Sequence, residues 1–138
     1  MKQVPDTPHA VVLRTDFSNA DAWETIRSEI QQPVDGFLAN VDFIDDGEFA
    51  WVSKEQLLHL IPGKTGHTFI VVADETAIVE PEHPLLVVDL YTEPGREFRA
   101  LPKEIQAIEN NLSIGNMDFS EFADHVDGKG VFRGFPAD

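Results

Sequence analysis

The sequence predicts an α/β domain with a mixed sheet of about five strands and about four helices. Three observations predict it. HTFIVVA (67–73) and LLVVDL (85–90) are near-continuous apolar runs of strand length, as expected where both faces of a sheet are covered. Between the strands lie segments with helical apolar spacing and recognisable caps. Glu93-Pro94-Gly95-Arg96 places Pro and Gly at the middle of a type II turn, so the segment after it returns antiparallel and the sheet is mixed.

Taken in order, residues 1–9, with Pro5 and Pro8, read as a flexible lead-in, and a single globular domain is expected over 10–138. AVVLR (10–14) is the first strand. TDFSNADAWETIRSEI opens a helix with Ser18 and Asp21 as a shortened capping box; Trp23, Ile26 and Ile30 mark its buried side, and Pro33 stops it. FLANVDFI (37–44) alternates as a half-buried strand, with Phe37, Ala39, Val41 and Phe43 on one face. After the turn at Asp45-Asp46-Gly47, Ser53 and Gln56 form a capping box ahead of the helix KEQLLHLI. The connection 74–84 is barely long enough for a crossover, so the relative direction of the two central strands stays open. DGKG (127–130) is a last turn, after which Val131, Phe132 and Phe135 are expected to tie down the chain end.

The densest signal is the stretch from Leu101 to Phe122. Pro102 suits the first helical position, and Leu101, Ile105, Ile108 and Leu112 form one apolar stripe. Gly115 can adopt the left-handed conformation of a helix stop. Asp118 and Glu121 then cap a second helix, with Met117 and Phe122 at staple spacing and Phe119, Ala123 and Val126 continuing its buried face. At the bend between these helices stand Glu109, Asn110, Asn111, Ser113 and Asn116. Such amides commonly cap helix ends and loop backbone; otherwise they make a binding site. Trp51, in a loop outside clear periodicity, is a further candidate anchor.

Twenty-five acidic against ten basic side chains give a net charge of −15, which opposes binding to nucleic acid or anionic membrane and favours a basic protein partner. The chain has no cysteine, which excludes disulfides, thiolate metal sites and a Cys nucleophile. No apolar run approaches the roughly 20 residues of a membrane helix, and MKQVPDTPH lacks a signal-peptide core, so a soluble cytoplasmic protein is expected.

Little else carries chemistry. Asp16, Asp45, Asp46 and Asp74 each follow a strand; were those strands parallel, the four carboxylates would gather at one edge and offer oxygen ligands to a hard divalent cation. Asp is equally the usual residue of turns and helix starts. The five histidines form neither HxH nor HExxH, and no GxSxG, P-loop or GxGxxG occurs. No cofactor is expected. Asp89, inside an apolar strand, needs partners if buried, and Arg96 or Arg99 across the hairpin is the natural candidate; an outward-facing Asp89 is the alternative.

The segments VVLRTDFSNADAW, HTFIVVAD, HPLLVVDLY and ENNLSIGNMDFSEFAD, followed by GVFRGF, resemble a family of small acidic bacterial proteins classed as a domain of unknown function. The resemblance spans nearly the whole chain and implies no activity or catalytic residue. By analogy with other orphan domains it makes an immunity or antitoxin-like role conceivable. The expectation is therefore a non-enzymatic acidic interaction module, immunity-like or regulatory, acting through the asparagine-rich corner. The rival is a small-molecule or metal-dependent enzyme using the four aspartates.

Overall fold

The computed structural model describes residues 2–136 of the chain, so Met1, Ala137 and Asp138 of the expected segments lie outside the described residues. The apolar runs assemble as β1 (Ala10–Arg14), β2 (Val41–Ile44), β3 (Phe69–Ala73), β4 (Leu85–Asp89), β5 (Glu97–Ala100) and β6 (Val131–Phe132), forming one sheet in the order β2-β1-β3-β4-β5-β6. β1 runs parallel to β2 and β3, β4 antiparallel to β3 and β5, and β6 parallel to β5. The expected α/β fold with a mixed sheet is the fold observed, with one more strand and one more helix than expected.

Period-two alternation sends the side chains of β1, β3 and β4 to two different cores. Ala10, Val12, Phe69, Val71, Leu85, Val87 and Phe98 pack on one face beneath α1 (Ala20–Gln31), α3 (Glu75–Val79), α4 (Ile105–Leu112) and α5 (Phe119–Ala123). Val11, Leu13, Ile70, Val72, Leu86 and Val88 pack on the other, against Phe49 of a 3-10 turn (Gly47–Phe49) and Leu57 and Leu60 of α2 (Lys54–Leu60). Both faces are covered, which is why the central strands lack polar alternation. The connection through α1 leads outward from β1 to β2, and the connection through α2 leads back across β1 to β3. Constant handedness of such crossovers demands that the two helices lie on opposite faces, as they do.

Several local expectations are corrected. The N-cap of α1 is Asn19, whose side chain accepts from the Ala22 N–H at 3.1 Å. Asp16 Oδ1 takes the Ser18 N–H at 2.7 Å, the donor that the Asp21 half of a capping box would have used, and the helix starts one residue later. The strand foreseen over 37–44 is confined to Val41–Ile44. Asp35 and Gly36 both have positive φ, and Val34 and Phe37 exchange two backbone hydrogen bonds of 2.9 Å across them. That is the two-residue turn an Asp-Gly pair favours, and it spends Phe37 on a local hairpin rather than on the sheet. The 74–84 connection holds the unforeseen α3, capped by Asp74, and returns the chain antiparallel. Five residues are too few to show an apolar period. The Ser53–Gln56 and Asp118–Glu121 capping boxes and the left-handed Gly115 appear as expected, while Pro102 opens a 3-10 turn (Pro102–Glu104) that leads into α4.

Segments near both ends of the described residues are fastened to the body. Val4 is buried and its N–H donates to the Leu60 carbonyl at 2.8 Å. At the other end, Asp127 accepts from the N–H groups of Lys129 and Val131, and its Oδ2 from Arg133 Nε at 2.7 Å, while Arg133 also holds Glu82 through two bonds. The Arg133 guanidinium, with those two N–H groups, pulls the Asp127 carboxyl from its ordinary 3.8 down to about 2. A lowered carboxyl pKa stabilises the fold above its unfolded value, and that contribution fades as pH falls through the folded one. The difference in thermal midpoint between the native chain and Asp127→Asn is therefore expected to hold at neutral pH and to close between 3.8 and about 2, as melting curves across that range would record.

Candidate functional site

The polar corner lies at the end of α4, against the edge of the sheet where β1, β2 and β3 begin. α4 closes with the N–H groups of Asn116 and Met117 on the Asn111 carbonyl. Asn111 Nδ2 donates back to the Ala107 carbonyl at 2.8 Å and its Oδ1 accepts from Asn116 Nδ2 at 2.8 Å, so these two amides serve their own helix end. Asn110 works outward. Its Nδ2 donates to the Leu38 carbonyl at 2.9 Å and to Glu109 Oε1 at 2.7 Å, and its Oδ1 accepts from Gln106. Glu109 is only 4% exposed, and its Oε1 also accepts from the Asn40 N–H at 2.7 Å. Together Glu109 and Asn110 staple α4 to the segment that leads into β2.

Beside this staple opens a cavity of about 450 Å³, lined by Asp6, Thr7, His9, Asn40, His67, Thr68, Glu109 and Ser113 among others. Its volume is that of a small-molecule site. Thr7 N–H donates to His67 Nε2 at 3.2 Å, while Asp6 Oδ1 lies 3.5 Å from the same nitrogen. An accepting nitrogen carries no proton, and Asp6 Oδ1 already takes the Thr65 hydroxyl and the Gly66 N–H, so the imidazole accepts here rather than forming an ion pair. At the rim His9 leans on Asp42. Burial pushes the Asp42 carboxyl up, but hydrogen bonds from the His9 backbone, the Thr7 hydroxyl and the His9 ring outweigh it and hold it below the usual range.

Around the corner the surface turns apolar. Phe37 and Ile114 flank a second hollow with Asn110 and Asn111, and Tyr91 shares a third with Ser113 and Gly115. Phe37, Leu38, Tyr91 and Ile114 are 62%, 52%, 76% and 78% exposed, and they are four of the seven large apolar side chains exposed among the described residues.

The four aspartates do share the opposite edge, because β1, β2 and β3 are parallel. Each is already engaged. Asp16 Oδ1 holds the Ser18 N–H, Asp45 meets Arg14 at 3.3 Å, and Asp46 caps the 3-10 turn while meeting Lys2 at 2.6 Å. Asp74 caps α3 and takes Arg99 through both oxygens at 2.8 and 2.9 Å. Burial works against the Arg99 charge, but this pair and neighbouring acids raise its pKa nonetheless. Among the described residues no three His, Asp or Glu side chains converge as a metal ion's ligands. Asp16 Oδ2 is buried without a hydrogen bond among the described residues. Trp51 also belongs to this edge: its N–H donates to the Thr15 carbonyl at 2.8 Å, its φ is +63°, and its ring is 63% exposed. It stands a strand length away from the asparagines, so the candidate residues divide between two sites.

Asp6, Asn40, His67 and Thr68 were not foreseen as site residues. No motif marks them, since they come from three separate segments that only the sheet brings together. Asp89 is buried as one alternative had it, but without either arginine: its oxygens accept the N–H groups of Tyr91, Thr92 and Glu93 at 2.9, 3.3 and 2.7 Å. Arg96 turns to Asp124 and Arg99 to Asp74.

No curated protein matches the sequence. A family model described as a domain of unknown function (DUF6924) matches residues 9–135, which hold the whole of both the sheet and the corner, and the chain belongs to that family.

Proposed function

We propose that the chain is a non-enzymatic interaction module whose corner face, between Phe37, Leu38, Tyr91 and Ile114, binds a basic protein. The observation that carries this reading is the gathering of exposed apolar side chains around hydrogen-bonding groups on a chain of net charge −15. Exposed aromatic and aliphatic anchors bordered by polar groups are how a protein surface holds a partner, and the acidic field steers and selects a basic one. A photo-crosslinking residue at position 114 is expected to capture a basic protein from native lysate at low salt, with capture fading at high salt. The same residue at the isolated, exposed Val79 is expected to capture nothing comparable. Phe37→Ser with Ile114→Ser is expected to weaken the purified complex more than tenfold, the scale of two interface anchors. Equal capture from both positions, or an acidic partner insensitive to salt, would count against it.

The second reading is divalent-metal-dependent chemistry at Asp16, Asp45, Asp46 and Asp74. What favours it is their common edge and the unpartnered oxygen of Asp16. Millimolar magnesium, calcium or manganese would then raise the thermal midpoint of the native chain but not of Asp16→Asn. An unchanged midpoint removes its support.

A further inference from the structure

We infer that the 450 Å³ cavity beside Glu109 receives an alkylammonium or alkylguanidinium group, the side chain of a lysine or arginine on the bound protein. This rests on the basic-partner reading and adds where the partner's cation is seated. Glu109 carries the argument. A carboxylate this deeply buried is costly unless its oxygens are satisfied. Oε1 has two donors, from Asn40 and Asn110. Oε2 has none among the described residues, yet it is not sealed from solvent, so it opens on the hollows that flank it. An incoming cationic N–H group completes its bonding with a charge-assisted hydrogen bond.

The rest of the lining agrees. Asp6 contributes a second carboxylate, no lysine or arginine lines the cavity, and the Ser113 hydroxyl makes no hydrogen bond to any described residue. His67 Nε2 accepts a hydrogen bond here, so that nitrogen brings no proton to repel a cation. Because Glu109 offers one free oxygen rather than two, the acceptors available to a guest are spread around the cavity. That arrangement suits a group with several divergent N–H donors. Within the cavity itself Pro8, Ala10 and Phe69 offer apolar surface to the guest's alkyl stem.

The test is an amide NMR titration with n-butylammonium and n-butylguanidinium, two cations on the same tail. Saturable shifts are expected at the N–H groups of Asn40, His67 and Thr68, and the tighter probe indicates whether lysine or arginine is the natural guest. Glu109→Gln keeps an oxygen for Asn40 and Asn110 but removes the charge, so the fold holds and both probes are expected to weaken about tenfold or more, the worth of a charge-assisted bond. Ser113→Lys, at an exposed position on the rim, tethers a competing cation and is expected to abolish binding of the free probes. The Phe37→Ser, Ile114→Ser variant is expected still to bind them, which separates the cavity from the apolar face. Absence of saturable shifts, or equal affinity in Glu109→Gln, overturns the assignment whatever the crosslinking shows. Saturable, Glu109-dependent shifts without a crosslinked basic protein would leave the cation site standing and remove the partner.

Discussion

Phe122→Ala is expected to lower the free energy of unfolding by about 4 kcal/mol, the scale for deleting a fully buried aromatic ring. Phe122 has no solvent exposure and packs against three other rings. Its centroid is 5.2 Å from Phe132 in edge contact, 5.5 Å from Phe135, and 6.5 Å from Phe98 in a stacked arrangement. Those partners sit on β6, the C-terminal tail and β5, so one side chain fastens the last helix and the last strand to the sheet. Each well-placed aromatic pair contributes beyond its burial. Phe122→Leu keeps much of the volume and is expected to cost about 1–2 kcal/mol. Urea unfolding measures both. Amide exchange adds a local readout: in the alanine variant the Val131 N–H, which donates to Asp127, is expected to lose protection before the central strands do. A loss below about 1 kcal/mol would mean that the ring cluster does not hold β6.

Asp89→Ala is expected to cost about 3 kcal/mol at neutral pH. The carboxylate closes the turn that follows β4 by accepting three successive backbone N–H groups, and it is 2% exposed. Bonds to a charged acceptor contribute roughly 1.5–3 kcal/mol each when taken singly, but the freed N–H groups of exposed residues regain water, so the three do not sum. Asp89→Asn is expected to lose about half as much. Its amide oxygen can still serve Tyr91 and Thr92, while its NH2 group opposes the Glu93 N–H that Oδ2 holds at 2.7 Å. Equal losses for the two variants would mean that charge, rather than the third acceptor, does the holding. The same loop carries Tyr91, so each variant is also expected to weaken the corner face.

The architecture was legible wherever it depended on local chemistry. The capping boxes at Ser53 and Asp118, the left-handed Gly115 and the Pro-Gly turn before β5 are short-range patterns, and short-range patterns are written in adjacent residues. The misreadings share a cause too. Asp35-Gly36 is itself a strong local turn signal, and it uses the backbone of Phe37, which the alternation of 37–44 assigns to a strand. Ser18 had the composition of a cap, yet the Asp16 side chain reached its N–H first. Charge complementarity points Asp89 toward Arg96 or Arg99, whereas three N–H groups of its own turn are nearer.

The candidate site was only half legible for a different reason. Glu109, Asn110, Asn111, Ser113 and Asn116 stand out as a polar run at a helix bend, and the run is there. What each does depends on its neighbours in space: Asn111 and Asn116 bond to each other, and Asn110 reaches across to Leu38. Glu109 and Ser113 line a cavity whose other walls come from residues before and at the starts of β1, β2 and β3.

By itself the sequence determined the acidity of the chain, its caps and turns, and the strands buried on both faces, since these follow from side-chain chemistry and from periods of two and 3.6 residues. Only the tertiary structure decided that β1, β2 and β3 run parallel and that the aspartates and Trp51 stand at one edge of the sheet with the asparagine corner at the other. It alone placed Asp6, Asn40, His67 and Glu109 around one cavity. Those relations join residues far apart in the chain, and they are fixed by which apolar faces must be covered together, a constraint that no local pattern records.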